Sequence, residues 1–264
     1  MDDYQFARLL DFFNYSWKGY RKVRKGVKKR VSRHMQEMGC RNMDDYLERI
    51  KTDNAVRTES KRRMTVPISR FFRDRLMWQI LEEQIVPEIT RQRRFQIRIW
   101  FAGCAGGEEV YSFKILWEEF QAGNEAVPRL LVIATDINPL YLERAQKGIY
   151  PPGTLREVDE ARRKCCFERY RKEHYAVKPF LKEGIDWRVH DFLIDDPPAN
   201  NFDIVFLRNN LLTYYPEEVS QTPLERIVDA LSPSGFLVIG AKEDMPVHGR
   251  QRLSCFNRYV FQKI

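Results

Sequence analysis

The chain has 264 residues, 43% of them hydrophobic, and a formal net charge of +8 at pH 7. That length allows one large domain or two modest ones, and no run approaches the roughly 18 uninterrupted apolar residues that a membrane span needs. The cysteines (Cys40, Cys104, Cys165, Cys166, Cys255) are odd in number and lack CxxC spacing, which argues against a zinc site or disulfide framework and fits a reducing cytoplasm.

The first 65 residues read as helical. Met1-Asp2-Asp3 opens no basic region followed by an apolar one, so no secretory signal is expected. Phe6, Leu9, Leu10 and Phe13 recur at helical spacing, and Val23, Val27, Val31 and Met35 continue at every fourth position. Between those valines lies a basic run: Lys18, Arg21, Lys22, Arg24, Lys25, Lys28, Lys29, Arg30 and Arg33. Such a helix has an apolar stripe and a cationic back, which is either a solvated face or a surface for an acidic partner. Asn42 is placed to cap a further helix lined by Met43, Tyr46, Leu47 and Ile50.

A helix is expected from Arg70 to about Ile89, with Ser69 as a candidate N-cap. Beyond it, short apolar runs alternate with helical segments: Ile97–Ala102, Tyr111–Phe120, Leu130–Thr135, Pro139–Lys147, Trp187–Val189, Phe202–Leu207, Glu218–Leu231 and Phe236–Ile239. That alternation predicts a mostly parallel sheet with helices on both faces. Leu253–Phe256 and Tyr259–Phe261 fit an antiparallel pair added to it. The stretch from Tyr150 to Lys182 opens on a Pro-Pro-Gly turn and reads as a charged, helical piece.

The most informative segment is Arg98 to Asp136. An apolar run leads into Gly103, Gly106 and Gly107, then Glu108 and Glu109, and a second apolar run ends at Asp136. A strand, a glycine turn and a helix bring backbone N–H groups close to a ligand, and an acid after the next strand can accept ribose hydroxyls. The glycine spacing is wrong for the pyrophosphate cradle of a dinucleotide fold. Acids at this helix start would repel a pyrophosphate but not an ammonium or sulfonium. S-adenosylmethionine carries both cations and a ribose diol, so this logic favours it; simple stabilisation of the helix start by Glu108 and Glu109 is the alternative.

Several segments together resemble the CheR family of chemotaxis receptor methyltransferases, which esterify glutamate side chains. They are Ile68-Ser69-Arg70-Phe71-Phe72-Arg73-Asp74, Gly103–Ser112, Ala134–Tyr150, Phe202–Leu212 and, less tightly, Leu231–Glu243. The resemblance implies a doubly wound, Rossmann-like α/β sheet with an antiparallel C-terminal strand pair, forming a methyltransferase domain at 76–264. A small all-helical domain at 1–75 would precede it. It implies S-adenosylmethionine as cofactor and S-adenosylhomocysteine as product. By position, Ser69 and Arg73 face the cofactor and the reacting carboxylate. Gly103 belongs to the cofactor loop, Glu109 lies near the methionine part and Asp136 holds the ribose. Asp191 and Phe192 flank the adenine, and Arg208 and Asn209 complete the pocket. No metal is implied.

Four features depart from the family pattern. Pro67 stands where asparagine is common, Ser69 where threonine is usual, and Thr213 where tyrosine often stands. Gly240-Ala241-Lys242-Glu243 replaces a common Gly-His-Ser-Glu. Tyr214 is one residue away and is a candidate substitute for the missing tyrosine. A glutamate acceptor is about 99% ionised at pH 7, so methylation needs positioning rather than a base. Arg73 is the candidate for orienting that carboxylate, because a guanidinium binds carboxylates bidentately. The expected partner is an acidic receptor helix docked on the basic run 18–33, with no nucleic acid and no membrane insertion. The competing readings are a methyltransferase for nucleic acid or a small molecule, and a cofactor-binding regulatory module without turnover.

Overall fold

A computed structural model describes the chain except for Pro67, Ile68, Arg94, Glu125 and Lys172. The departure at Pro67 therefore lies outside the described residues. In chain order the elements begin with α1 (Asp3–Phe12), α2 (Trp17–Tyr20), α3 (Arg24–Glu37), α4 (Met43–Thr52) and α5 (Asn54–Met64). Next come α6 (Arg75–Ile80), a π-helical turn (Leu81–Ile85) and α7 (Val86–Gln92). The alternating part follows: β1 (Gln96–Ala102), α8 (Glu108–Ala122), β2 (Arg129–Asp136), α9 (Pro139–Lys147) and β3 (Ile149–Tyr150). Then come α10 (Glu160–Cys166), β4 (Phe167–Tyr170), β5 (His174–Val177), β6 (Ile185–Val189) and β7 (Phe202–Leu207). The chain closes with α11 (Leu211–Tyr214), α12 (Glu217–Ala230), β8 (Leu231–Ile239), α13 (Val247–Arg250), β9 (Leu253–Cys255) and β10 (Val260–Lys263).

Two compact units divide the chain. One is Met1–Val66 with Asn209–Thr222; the other is Pro67–Arg208 with Pro223–Ile264. The expected boundary after residue 75 is displaced, because Phe71 and Phe72 are buried in the core of the second unit. The first unit also gains a segment remote in sequence.

In the first unit, Phe6, Leu9, Leu10, Val27, Val31, Tyr46 and Ile50 form one apolar core, which bears out the helical stripes. Asn42 caps α4 by accepting the Asp45 N–H. The remote segment is seated by close approach: a Cβ on Gly19 would lie 2.2 Å from the Thr213 carbonyl oxygen, so no larger residue fits there. The Ser16 N–H donates to the Tyr214 carbonyl, and the Tyr214 ring packs 4.9 Å from Tyr20.

The second unit holds a seven-stranded sheet in the order β6-β2-β1-β7-β8-β10-β9. Strands β6, β2, β1, β7 and β8 pair in parallel, and β10 is antiparallel to both β8 and β9. This is the expected doubly wound sheet with its antiparallel C-terminal pair. Every residue of β7 is buried, as a central parallel strand covered on both faces requires. Phe101 and Phe206 stack 4.4 Å apart across β1 and β7.

Two expectations need correction. Residues 150–182 are not one helical piece: β3, β5 and β4 form a second, antiparallel sheet. Nor does a helix start at Arg70. It starts at Arg75, because Phe72 and Asp74 take left-handed backbone angles (φ +51° and +66°) that end any helix there. Ser69 is therefore not an N-cap.

Candidate active site

The parallel register puts the ends of β6, β2, β1 and β7 side by side, and the expected site residues follow those ends. Gly103 follows β1, Asp136 ends β2, Asp191 and Phe192 follow β6, and Arg208 follows β7. Ligands in open α/β sheets bind at such carboxyl ends. Asn209 comes next in the chain with φ +55° and belongs to the first unit.

The glycine loop is held from both sides. The N–H groups of Gly103 and Cys104 donate to the Thr135 carbonyl, at 2.9 and 2.8 Å. The Tyr150 hydroxyl donates to the Gly106 carbonyl. Gly107, the residue before α8, has φ +85°, and a Cβ there would lie 2.8 Å from that of Ala145. A side chain would thus be strained and would clash.

Asp136 sits beneath this loop, 7% exposed. One carboxylate oxygen accepts the Ala105 N–H at 2.9 Å and the other accepts the Asn138 N–H at 2.8 Å. Burial pushes its pKa up to about 6, against the lowering effect of these two bonds. Each oxygen retains a lone pair for a further donor. An acceptor pair of this kind, beside a glycine-rich loop, fits the ribose diol of a nucleoside cofactor.

The two acids at the start of α8 are paired with arginines that the sequence did not single out as their partners. Glu108 is 1% exposed and pairs with Arg144 of α9 at 2.8 Å. Burial raises its pKa, and Arg144 offsets part of that, with a lesser contribution from the Ser69 hydroxyl. Glu109 pairs with Arg208, whose side chain is wholly buried and also bonds Asp74 at 2.5 Å. Each acid is thus ion-paired and anchors a neighbouring segment. One negative charge remains across Asp74, Arg208 and Glu109.

Arg73 lies between Phe72 and Asp74, both left-handed. Several bonds fix this turn. The Phe72 N–H donates to the Ser112 hydroxyl at 2.9 Å, and Ser112 donates in turn to the Glu108 carbonyl. The Trp78 indole donates to the Arg73 carbonyl. The Arg162 guanidinium lies 4.6 Å from the Phe72 ring centroid. The turn is thus tied to the first turn of α8 through Ser112 on one side and through Asp74 and Arg208 on the other. Asp74, Ser112 and Arg144 were missed as site residues, although each lies in a segment carrying the family resemblance. Their partners are 36 to 134 residues away in sequence, so no local spacing signals them.

Comparison with known proteins decides the family. Residues 68–260 match the model of the CheR methyltransferase, SAM binding domain. The chain belongs to the CheR methyltransferase family. A chemotaxis protein methyltransferase of Listeria innocua serovar 6a is 28% identical, over 90% of this chain and 88% of its own length. Chemotaxis protein methyltransferase 1 of Pseudomonas aeruginosa is 29% identical, over 89% of this chain and 88% of its own length. This CheR-family protein is an S-adenosylmethionine-dependent methyltransferase. Among the described residues, no helix is long and apolar enough to cross a membrane.

Proposed function

We propose that this CheR-family chain methylates glutamate carboxylates on an acidic, receptor-type signalling protein. The relatives' name, chemotaxis protein methyltransferase, supports an acceptor in signalling. The observation that carries the reading is the Phe72-Arg73-Asp74 turn, which is tied to α8, the helix after the cofactor loop, directly through Ser112 and from Asp74 by way of Arg208.

The cofactor supplies an electrophilic methyl group on a sulfonium. Asp136 accepts the ribose hydroxyls, Asp191 and Phe192 border the adenine, and Gly103 lets the backbone approach. Glu109 faces the methionine ammonium and is held in place by Arg208; Ser69 and Arg208 complete the pocket. Arg73 presents its guanidinium to the acceptor carboxylate, which is already ionised near neutral pH. No general base is needed, and the contribution of the protein is in-line positioning. Arg73 must orient the carboxylate without quenching it, and its fixed turn limits how closely it can approach.

The basic run supplies the docking face. Lys18, Arg21, Lys22, Lys25, Lys29 and Arg33 are exposed. Arg24 and Lys28 are instead bonded to Asp3, and Arg30 to the carbonyls of Arg63 and Thr65. The six exposed cations raise the encounter rate with an acidic helix.

The test is incubation with methyl-labelled S-adenosylmethionine and cytoplasmic fragments of chemoreceptors. Base-labile label on glutamate supports the proposal. Base-stable label on RNA or DNA overturns it in favour of a nucleic-acid acceptor, and cofactor binding with no transfer overturns it in favour of a regulatory module.

A further inference from the structure

We infer that Arg226, on α12, is a positioning residue for the adenine side of the cofactor site. The inference rests on the placement of adenine at Asp191 and Phe192 proposed above.

The crossover from β6 to β7 carries no helix among the described residues. Its first part is a tight turn: the N–H groups of Ile194 and Asp195 both donate to the Asp191 carbonyl, at 3.0 and 2.8 Å. The Asp191 and Asp195 side chains close the turn by accepting the N–H groups of Leu193 and Asp191. A turn this short cannot bond the carbonyls at its end within itself, and Arg226 donates to them. Its Nη2 donates to the carbonyls of Phe192 (3.2 Å) and Leu193 (2.6 Å). Its Nη1 donates to those of Ile194 (3.2 Å) and Asp195 (3.1 Å). One guanidinium thus binds four consecutive carbonyls.

The turn is tied to the ribose acid as well. The His190 N–H donates to the Asp136 carbonyl, and His190 Nε2 donates to the Asp196 carbonyl at 2.9 Å. A shift of the turn therefore moves the backbone that sets Asp191 and Phe192 relative to Asp136. A rigid, planar fork is needed, because an ammonium is a point donor and cannot span four carbonyls.

The experiment measures dissociation constants of S-adenosylhomocysteine and of adenosine for the full chain and for the Arg226→Met and Arg226→Lys variants, with the thermal midpoint of each free protein. Arg226→Met should weaken both ligands together by about tenfold, leaving their affinity ratio at the parent's value. Arg226→Lys should recover part of the loss, and it serves alone if Arg226→Met does not fold. Unchanged adenosine affinity in a variant whose midpoint falls overturns the proposal, because Arg226 then only stabilises the fold. A larger loss for S-adenosylhomocysteine than for adenosine also overturns it, since the effect then lies at the methionine end. A parent chain that binds neither compound overturns this inference together with the cofactor assignment; a parent that binds both, with unaltered variants, overturns this inference alone.

Discussion

Arg208 and Glu109 form a buried ion pair at the head of α8, and the same guanidinium reaches Asp74 beside Arg73. Replacing Arg208 by methionine leaves two carboxylates in a poorly solvated site. Breaking a buried pair from one side typically costs about 3–5 kcal/mol. Denaturant unfolding of Arg208→Met should show a loss of that order. Asp74→Asn should cost less, because asparagine tolerates the left-handed backbone at φ +66° and keeps one hydrogen bond. Equal losses in the two variants would contradict the central place given to Arg208.

Ser112 links the Arg73 turn to α8 through one hydroxyl. Ser112→Ala strands the buried Phe72 N–H, at about 1–3 kcal/mol. The same variant should slow methyl transfer more than it weakens S-adenosylhomocysteine binding. A variant with parental turnover at saturating cofactor would show that the turn does not depend on this bond.

Asp136 gives the cofactor affinity a pH dependence. Its folded pKa of about 6 is raised above the usual 3.8. In the free protein, ionised Asp136 therefore carries a stability cost that is full above about pH 6. That cost is relieved as the pH falls from about 6 towards 4. Binding runs the other way, because a protonated carboxyl loses acceptor capacity for the ribose diol. Titration of S-adenosylhomocysteine at pH 7.5 and pH 5 should show weaker binding at the lower pH. Asp136→Asn should bind weakly at both, without that pH step.

The exposed face of α2 and α3 should govern acceptor capture alone. Charge reversal at Arg21, Lys25 and Lys29, all exposed, should raise the KM for an acidic receptor fragment and make it less sensitive to salt. Affinity for S-adenosylhomocysteine should not change. An equal loss of both would contradict a docking role. Lys28 is unsuited to this test, because its ammonium already bonds Asp3 at 2.9 Å.

Much of the architecture is legible in the sequence because it rests on local signals. The apolar runs of β1, β2 and β7, the glycines before α8 and the valine stripe of α3 each depend on neighbours a few positions away. What escapes is imposed from far along the chain. The left-handed Phe72 and Asp74 are fixed by Ser112 and Arg208, so the helix after them starts later than its apolar spacing suggests. The small sheet of β3, β4 and β5 escapes because its strands are two to four residues long, and β4 is exposed beyond Phe167. In the site, the acids and Arg208 are legible, but Arg144 is not, and neither is the pairing of each acid with its arginine. Nor is Arg226, whose four carbonyl partners lie 31 to 34 residues earlier.

Methyl transfer depends on where the cofactor lies, and a crystal structure of the full chain with S-adenosylhomocysteine tests that most directly. It should show both ribose hydroxyls within hydrogen-bond distance of the Asp136 carboxylate, the adenine against Asp191 and Phe192, and the methionine end beside Glu109 with Arg73 at the sulfur. A product molecule whose ribose does not touch Asp136, or whose sulfur lies far from Arg73, would contradict it.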